Sequence, residues 1–136
     1  MLMTARLPLL LIALATPLHA ALLQSGPCLQ VVRAFVSATE RGDASTAKDL
    51  CTEDFFYKTH SATTDSLAAA EERLHTKVPS PSKVTQELHE ERPGTFVREI
   101  LVKPIPFVNV AVRQEFEMRQ IGNNEVRLCR AEYIKK

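Results

Sequence analysis

Four side chains in the middle of this chain are of the types that acid–base chemistry needs. Tyr57, His60 and Asp65 fall within nine positions, and His89 follows on a later segment. A phenol, an imidazole and a carboxylate gathered in one cleft could move a proton on and off a carbonyl or hydroxy substrate, which is the work of a lyase or isomerase. Each also has a plain structural use. Tyr57 suits amphipathic packing, His60 a loop, Asp65 the cap of a helix, and His89 an exposed strand position beside Glu87 and Glu91.

Other reactive patterns fail on spacing. His89-Glu90-Glu91-Arg92-Pro93 begins like a zinc-protease helix, but the second ligand would have to stand at Pro93, which also forbids the helix. No metal site is expected. Gly26, Gly42, Gly94 and Gly122 are scattered singly, so there is no phosphate-cradling loop, and no Gly-x-Ser-x-Gly elbow occurs. No cofactor is expected. Arg41-Gly42-Asp43 spells an adhesion tripeptide, yet Gly42 is placed to stop one helix and Asp43 to start the next. Cys28, Cys51 and Cys129 match no zinc or redox spacing. In an oxidising compartment three single bridges are open to them; antiparallel packing of the first two helices favours Cys28 with Cys51, leaving Cys129 as a buried thiol.

The elements that must position these groups follow a cleavable address. Arg6, the apolar run Leu7–Ala15, Pro17 and the small residues Ala20 and Ala21 have the order of a secretory signal, so residues 1–20 are predicted to be removed after Ala20. Ala13 and Ala15 offer an alternative site but leave a stunted apolar centre. Residues 21–136 then form one domain, soluble and secreted, with no second apolar run to hold it in a membrane. The whole chain has 136 residues, 17 basic and 16 acidic. Losing Arg6 leaves the two signs balanced, with no bulk field to attract anionic lipid and no basic surplus for a row of phosphates, so neither a membrane nor nucleic acid is an expected partner. Asn109, Asn123 and Asn124 all lack the third residue of a glycosylation sequon.

After the start signal Ser25-Gly26-Pro27, Leu29, Val32, Phe35, Val36 and Thr39 recur at helical steps. A second helix is predicted from Asp43 with Ala44, Ala47, Leu50 and Cys51 inward, then a short aromatic strand over Phe55–His60. A third helix is predicted from Asp65 or Ser66 to about Lys77, with Leu67, Ala70, Leu74 and Val78 on one stripe, ended by Pro79 and Pro81. Beyond Ser82 the period changes to two, and breaks at Pro93-Gly94, Pro104-Ile105-Pro106 and Gly122-Asn123-Asn124 divide the segment into four strands of an antiparallel meander. On the longest of them Val108, Val110, Val112, Phe116 and Met118 alternate with polar and charged residues. The fold class is α+β: three helices packed on a curved antiparallel sheet.

That element order, with the string from Val31 to Phe55 holding Arg41-Gly42-Asp43 and Glu53-Asp54-Phe55, resembles the nuclear transport factor 2-like superfamily over residues 28–136. The resemblance implies a sheet curled into a cone whose mouth the helices close, often around a pocket. Its isomerase branch uses a phenol on the first helix and a carboxylate after the second; registered on the Gly-Asp pair, this chain has Phe35 and Thr59 in those places. The expected function is therefore a secreted, non-catalytic binding module. Its pocket would hold a small apolar ligand among Phe35, Phe55, Tyr57, Phe107 and Phe116. The alternatives are a lyase or isomerase with a relocated pair drawn from Tyr57, His60, Asp65 and His89, and an assembly domain forming a homodimer through the outer sheet face.

Overall fold

The computed structural model describes residues 25–136; the predicted signal segment and its cleavage point lie outside the described residues. Helix α1 spans Ser25–Arg41 and buries Cys28, Val32, Phe35, Ala38 and Thr39 along one stripe. Pro27 is tolerated because the first turn has no use for its missing N–H. The helix ends on Gly42, whose φ is +72°. The Gly42 amide donates to Thr39 O at 3.3 Å and the Asp43 amide to Ala38 O at 2.8 Å, which closes the helix with paired reverse bonds. The positive φ calls for glycine there, and a Cβ would also stand 3.0 Å from Lys77 Cγ, which would have to give way. Asp43 then caps α2 (Ala44–Asp49), its carboxylate accepting from the Thr46 amide at 3.1 Å and from Thr46 Oγ1 at 2.7 Å.

The chain runs straight from α2 into β1 (Cys51–Lys58), then β2 (Thr63–Thr64) and α3 (Leu67–Leu74), which Ser66 caps. Helix α3 stops short of the predicted Lys77. The amides of His75 and Thr76 turn back to Glu72 and Arg73, and the Val78 amide leaves to bond Thr39 O at 2.9 Å, tying the segment to the end of α1. Four long strands follow: β3 (Lys83–Arg92), β4 (Thr95–Ile105), β5 (Val108–Gly122) and β6 (Glu125–Lys135). They form the predicted meander, joined by two-residue loops at the predicted breaks.

The six strands make one curved, unclosed sheet in the order β2-β1-β6-β5-β4-β3. It departs from the predicted all-antiparallel arrangement because β1 adds to the free edge of β6 in parallel, with Phe56 opposite Arg130 and Tyr57 opposite Ala131. The helices cover the concave face. There Phe35 meets Phe55, Tyr57 and Phe116 edge-on, with ring centroids 5.7, 6.2 and 6.3 Å away, a geometry aromatic quadrupoles favour. Cys28, Ala47, Leu74, Phe96, Met118 and Leu128 complete that core.

The cysteines are placed differently from the prediction. Because α2 is only six residues long, Cys51 is carried into the sheet opposite Leu128, where its thiol donates to Ala47 O at 3.2 Å. Cys28 stays in the first turns of α1 and feels the charge of Glu90, whereas Cys51 feels Arg127 and Cys129. Cys28 and Cys51 are therefore not bridged; all three cysteines are buried free thiols, and burial pushes each thiol pKa up. The convex face is tiled with ion pairs. Arg113 reaches Glu91 at 2.7 Å, Glu115 at 2.8 Å and Glu99 at 3.6 Å, and Arg119 reaches Asp54 at 2.9 Å.

Candidate functional site

Strand register arranges the concave face in rows across β4, β5 and β6. Phe96, Phe116 and Ala131 form one row beneath α1; Arg98, Gln114 and Tyr133 form the next; Ile100, Val112 and Lys135 the third; Val102 and Val110 the fourth. The first row belongs to the core. The third and fourth run out beyond the helices and wall a cavity of about 320 Å³, closed on its other sides by Val78 and Pro79 after α3, Thr59 and His60 after β1, and Pro104 of β4. That is room for about ten water-sized groups.

The second row is polar and separates core from cavity. Gln114, 2% exposed, is held by Arg98, whose Nε donates to Gln114 Oε1 at 2.8 Å. Glu40 of α1 accepts from the other end of the same guanidinium at 3.5 Å. This fork uses the amide oxygen of Gln114. Its Nε2 donates to no protein group among the described residues, and Gln114 lines the cavity. Tyr133 presents its ring to the cavity, while its hydroxyl is enclosed beside Tyr57 and Thr39 without meeting either in hydrogen-bond geometry. Burial pushes the Tyr133 phenol well above its ordinary pKa and raises Tyr57 to about 12. Both are neutral phenols near pH 7. Among the described residues no carboxylate lines the cavity, and its other ionisable groups are His60 and Lys135.

The four predicted acid–base residues are not gathered. Tyr57 is 3% exposed inside the core, His60 lines the cavity mouth, Asp65 is exposed before the Ser66 cap, and His89 sits on β3 with Nδ1 2.9 Å from Glu87 O. The five predicted ligand contacts are placed elsewhere too. Phe35, Phe55, Tyr57 and Phe116 pack on one another as the centre of the core, and Phe107 projects from the β4–β5 hairpin. Their size and apolarity made them candidates, but those properties suit a closed core at least as well. Gln114 and Arg98 had a legible signal that the prediction passed over: each is the polar interruption of an alternating apolar face, Val110-Val112-Gln114-Phe116 and Phe96-Arg98-Ile100. Among the described residues no three His, Cys, Asp or Glu side chains meet in a way that could hold a metal ion.

No protein-family model matches the sequence, and no curated protein sequence does either. Solved structures do match in shape. A nuclear transport factor 2-like protein from Cytophaga hutchinsonii superposes with a TM-score of 0.57 at 9% identity, over 80% of this chain and 89% of that one. A ketosteroid isomerase-like protein from Erwinia carotovora atroseptica gives 0.57 at 12% identity, over 80% and 93%. A protein from Sinorhizobium meliloti described as a putative polyketide cyclase gives 0.55 at 15%, over 76% and 93%. At such identities the likeness is one of fold: the chain has the α+β cone of the nuclear transport factor 2-like proteins.

Proposed function

We propose that this cone fold serves a secreted, non-catalytic binding domain that takes one small, mainly apolar molecule carrying a hydrogen-bond acceptor. The observation that carries the reading is the apolar cavity that Gln114 and Tyr133 border, with Arg98 behind them holding the Gln114 amide. Val102, Val110, Val112 and Ile100 remove the ligand's apolar surface from water. Arg98 fixes the Gln114 amide so that Nε2 is the donor left over, and a ligand acceptor satisfies it at little ordering cost. Catalysis has less support, since the one imidazole at the cavity, His60, has no carboxylate beside it there among the described residues, and the Tyr133 phenol is not acidified. The ion-paired convex face likewise favours binding over assembly through the sheet. Secretion rests on the order of residues 1–20, and Edman sequencing of protein from the culture medium should begin at Ala21.

The binding reading is tested with 2-naphthol, a fluorescent probe of the right size with one oxygen. Val112→Trp should fill the cavity and abolish binding without lowering the melting temperature. Gln114→Leu should weaken binding by about fivefold, the worth of one hydrogen bond. Binding that survives Val112→Trp would place the ligand elsewhere and end the proposal.

A further inference from the structure

The three hairpins of the meander share one backbone feature, and at one of them the residue that carries it is out of type. Each closes through a two-residue loop whose second residue has positive φ: Gly94 at +78°, Phe107 at +67° and Asn124 at +66°. Glycine and asparagine are what such a turn calls for, because Cβ crowds the following carbonyl there. Phenylalanine is not, and at 99% exposure Phe107 gains no packing that offsets its conformation. Ile105 at 59% and Val108 at 41% stand beside it, so three of the four large exposed hydrophobic residues among the described residues share this one tip. Backbone strain and apolar exposure coincide at a residue where glycine would relieve both, which points to contact with something outside the molecule.

Charge says what that something is. On the sheet the arginines are paired with carboxylates: Arg92, Arg98, Arg113, Arg119, Arg127 and Arg130 all have an acidic partner. The lysines at the hairpin end differ. Lys103 precedes the tip, Lys83 pairs across from Leu101, and Lys135 lines the cavity mouth opposite Val112. None of the three has a carboxylate partner among the described residues, and no acidic residue occurs between Ile100 and Val112. A second copy would set these cations against their own kind. An apolar tip backed by free lysines, Lys103 two residues behind Ile105 and Lys83 and Lys135 about 13 Å behind the tip, complements an anionic lipid surface, with the side chains of Ile105, Phe107 and Val108 below the headgroups and the lysines facing them. We infer that the β4–β5 tip docks the protein on anionic membranes, a peripheral contact that is independent of what the cavity holds. Net neutrality of the domain, the basis for expecting no membrane partner, averages this local arrangement away.

The chain contains no tryptophan, so Phe107→Trp supplies a single indole at the tip. Its emission should shift to the blue on phosphatidylserine–phosphatidylcholine vesicles and stay unshifted on phosphatidylcholine alone. Ile121→Trp, about 40 Å along β5 at the opposite hairpin, should not shift on either. Phe107→Asn should lower the vesicle-bound fraction by about tenfold, and Lys103→Glu by about fivefold with loss of much of the salt dependence. Equal emission from the two tryptophan variants, or binding unchanged by Phe107→Asn, would overturn the assignment. So would a blue shift of Phe107→Trp that grows with protein concentration in the absence of vesicles, which would give the tip to a second copy.

Discussion

Replacing Tyr133 by phenylalanine should stabilise the protein, against the usual direction for a core tyrosine. The hydroxyl is enclosed beside Thr39 and Tyr57 and bonded to neither. Thr39 Oγ1 already donates its proton to Val36 O at 2.9 Å, so it can only accept. A buried hydroxyl without a partner costs about 1–3 kcal/mol, whereas one that is bonded contributes about 1 kcal/mol net. The two cases differ in sign. With the ring retained, the aromatic contacts to Phe116 and Tyr57 persist, and the gain should be about 1 kcal/mol, roughly 4 °C in melting temperature for a domain of this size. Urea denaturation measures it directly, with the slope unchanged if only the folded state is affected. A loss of 1 kcal/mol would refute the reasoning. It would mean the hydroxyl is bonded, and a double-mutant cycle with Thr39→Val would say whether Thr39 is the partner.

Phe35→Ala should cost about 3–5 kcal/mol by denaturation, since it empties the point where three other rings converge, and a loss below 1 kcal/mol would show that the core collapses into the space. The chain has only two tyrosines, Tyr57 and Tyr133, and burial raises both. The stability they contribute is fully present below the ordinary tyrosine value of about 10 and is lost as the pH rises through the folded values, about 12 for Tyr57. Tyrosinate absorbance should therefore lag behind that of a free tyrosine and rise together with unfolding; titration near pH 10 in the folded protein would contradict the burial.

Local signals carried most of the architecture into the sequence. The stripe through Val32, Phe35 and Thr39, the Gly42-Asp43 corner and the three two-residue turns each depend on a few neighbouring residues, and each is where the spacing puts it. Two features had no such signal. The parallel pairing of β1 with β6 joins segments far apart in the chain, and nothing local to Phe56 names Arg130 as its partner. The cavity depends on how far the helices reach along the concave face. Alternation identifies Val110, Val112, Phe116 and Met118 as one face, but Phe116 is covered by α1 while Val110 and Val112 are not, and that difference is one of tertiary reach. Size and apolarity point the aromatic residues to the cavity, but Val102, Val110 and Val112 line it instead.

The pairing of β1 with β6 also sets a clock. The hairpins of the meander can zip as each turn emerges, because their contacts are close in sequence. Helices α1 and α2 and strand β1 are made first yet find their place on the sheet only when β6 exists: Cys51 and Phe56 register against Leu128 and Arg130, and the Leu128 amide bonds Leu50 O at 2.8 Å. During synthesis the stripe of α1 and the rings of Phe55 and Tyr57 wait uncovered for more than seventy residues. Strand β6 thus governs when the domain becomes folded at all, and a chain released before Glu125 leaves its first half without a surface to close upon.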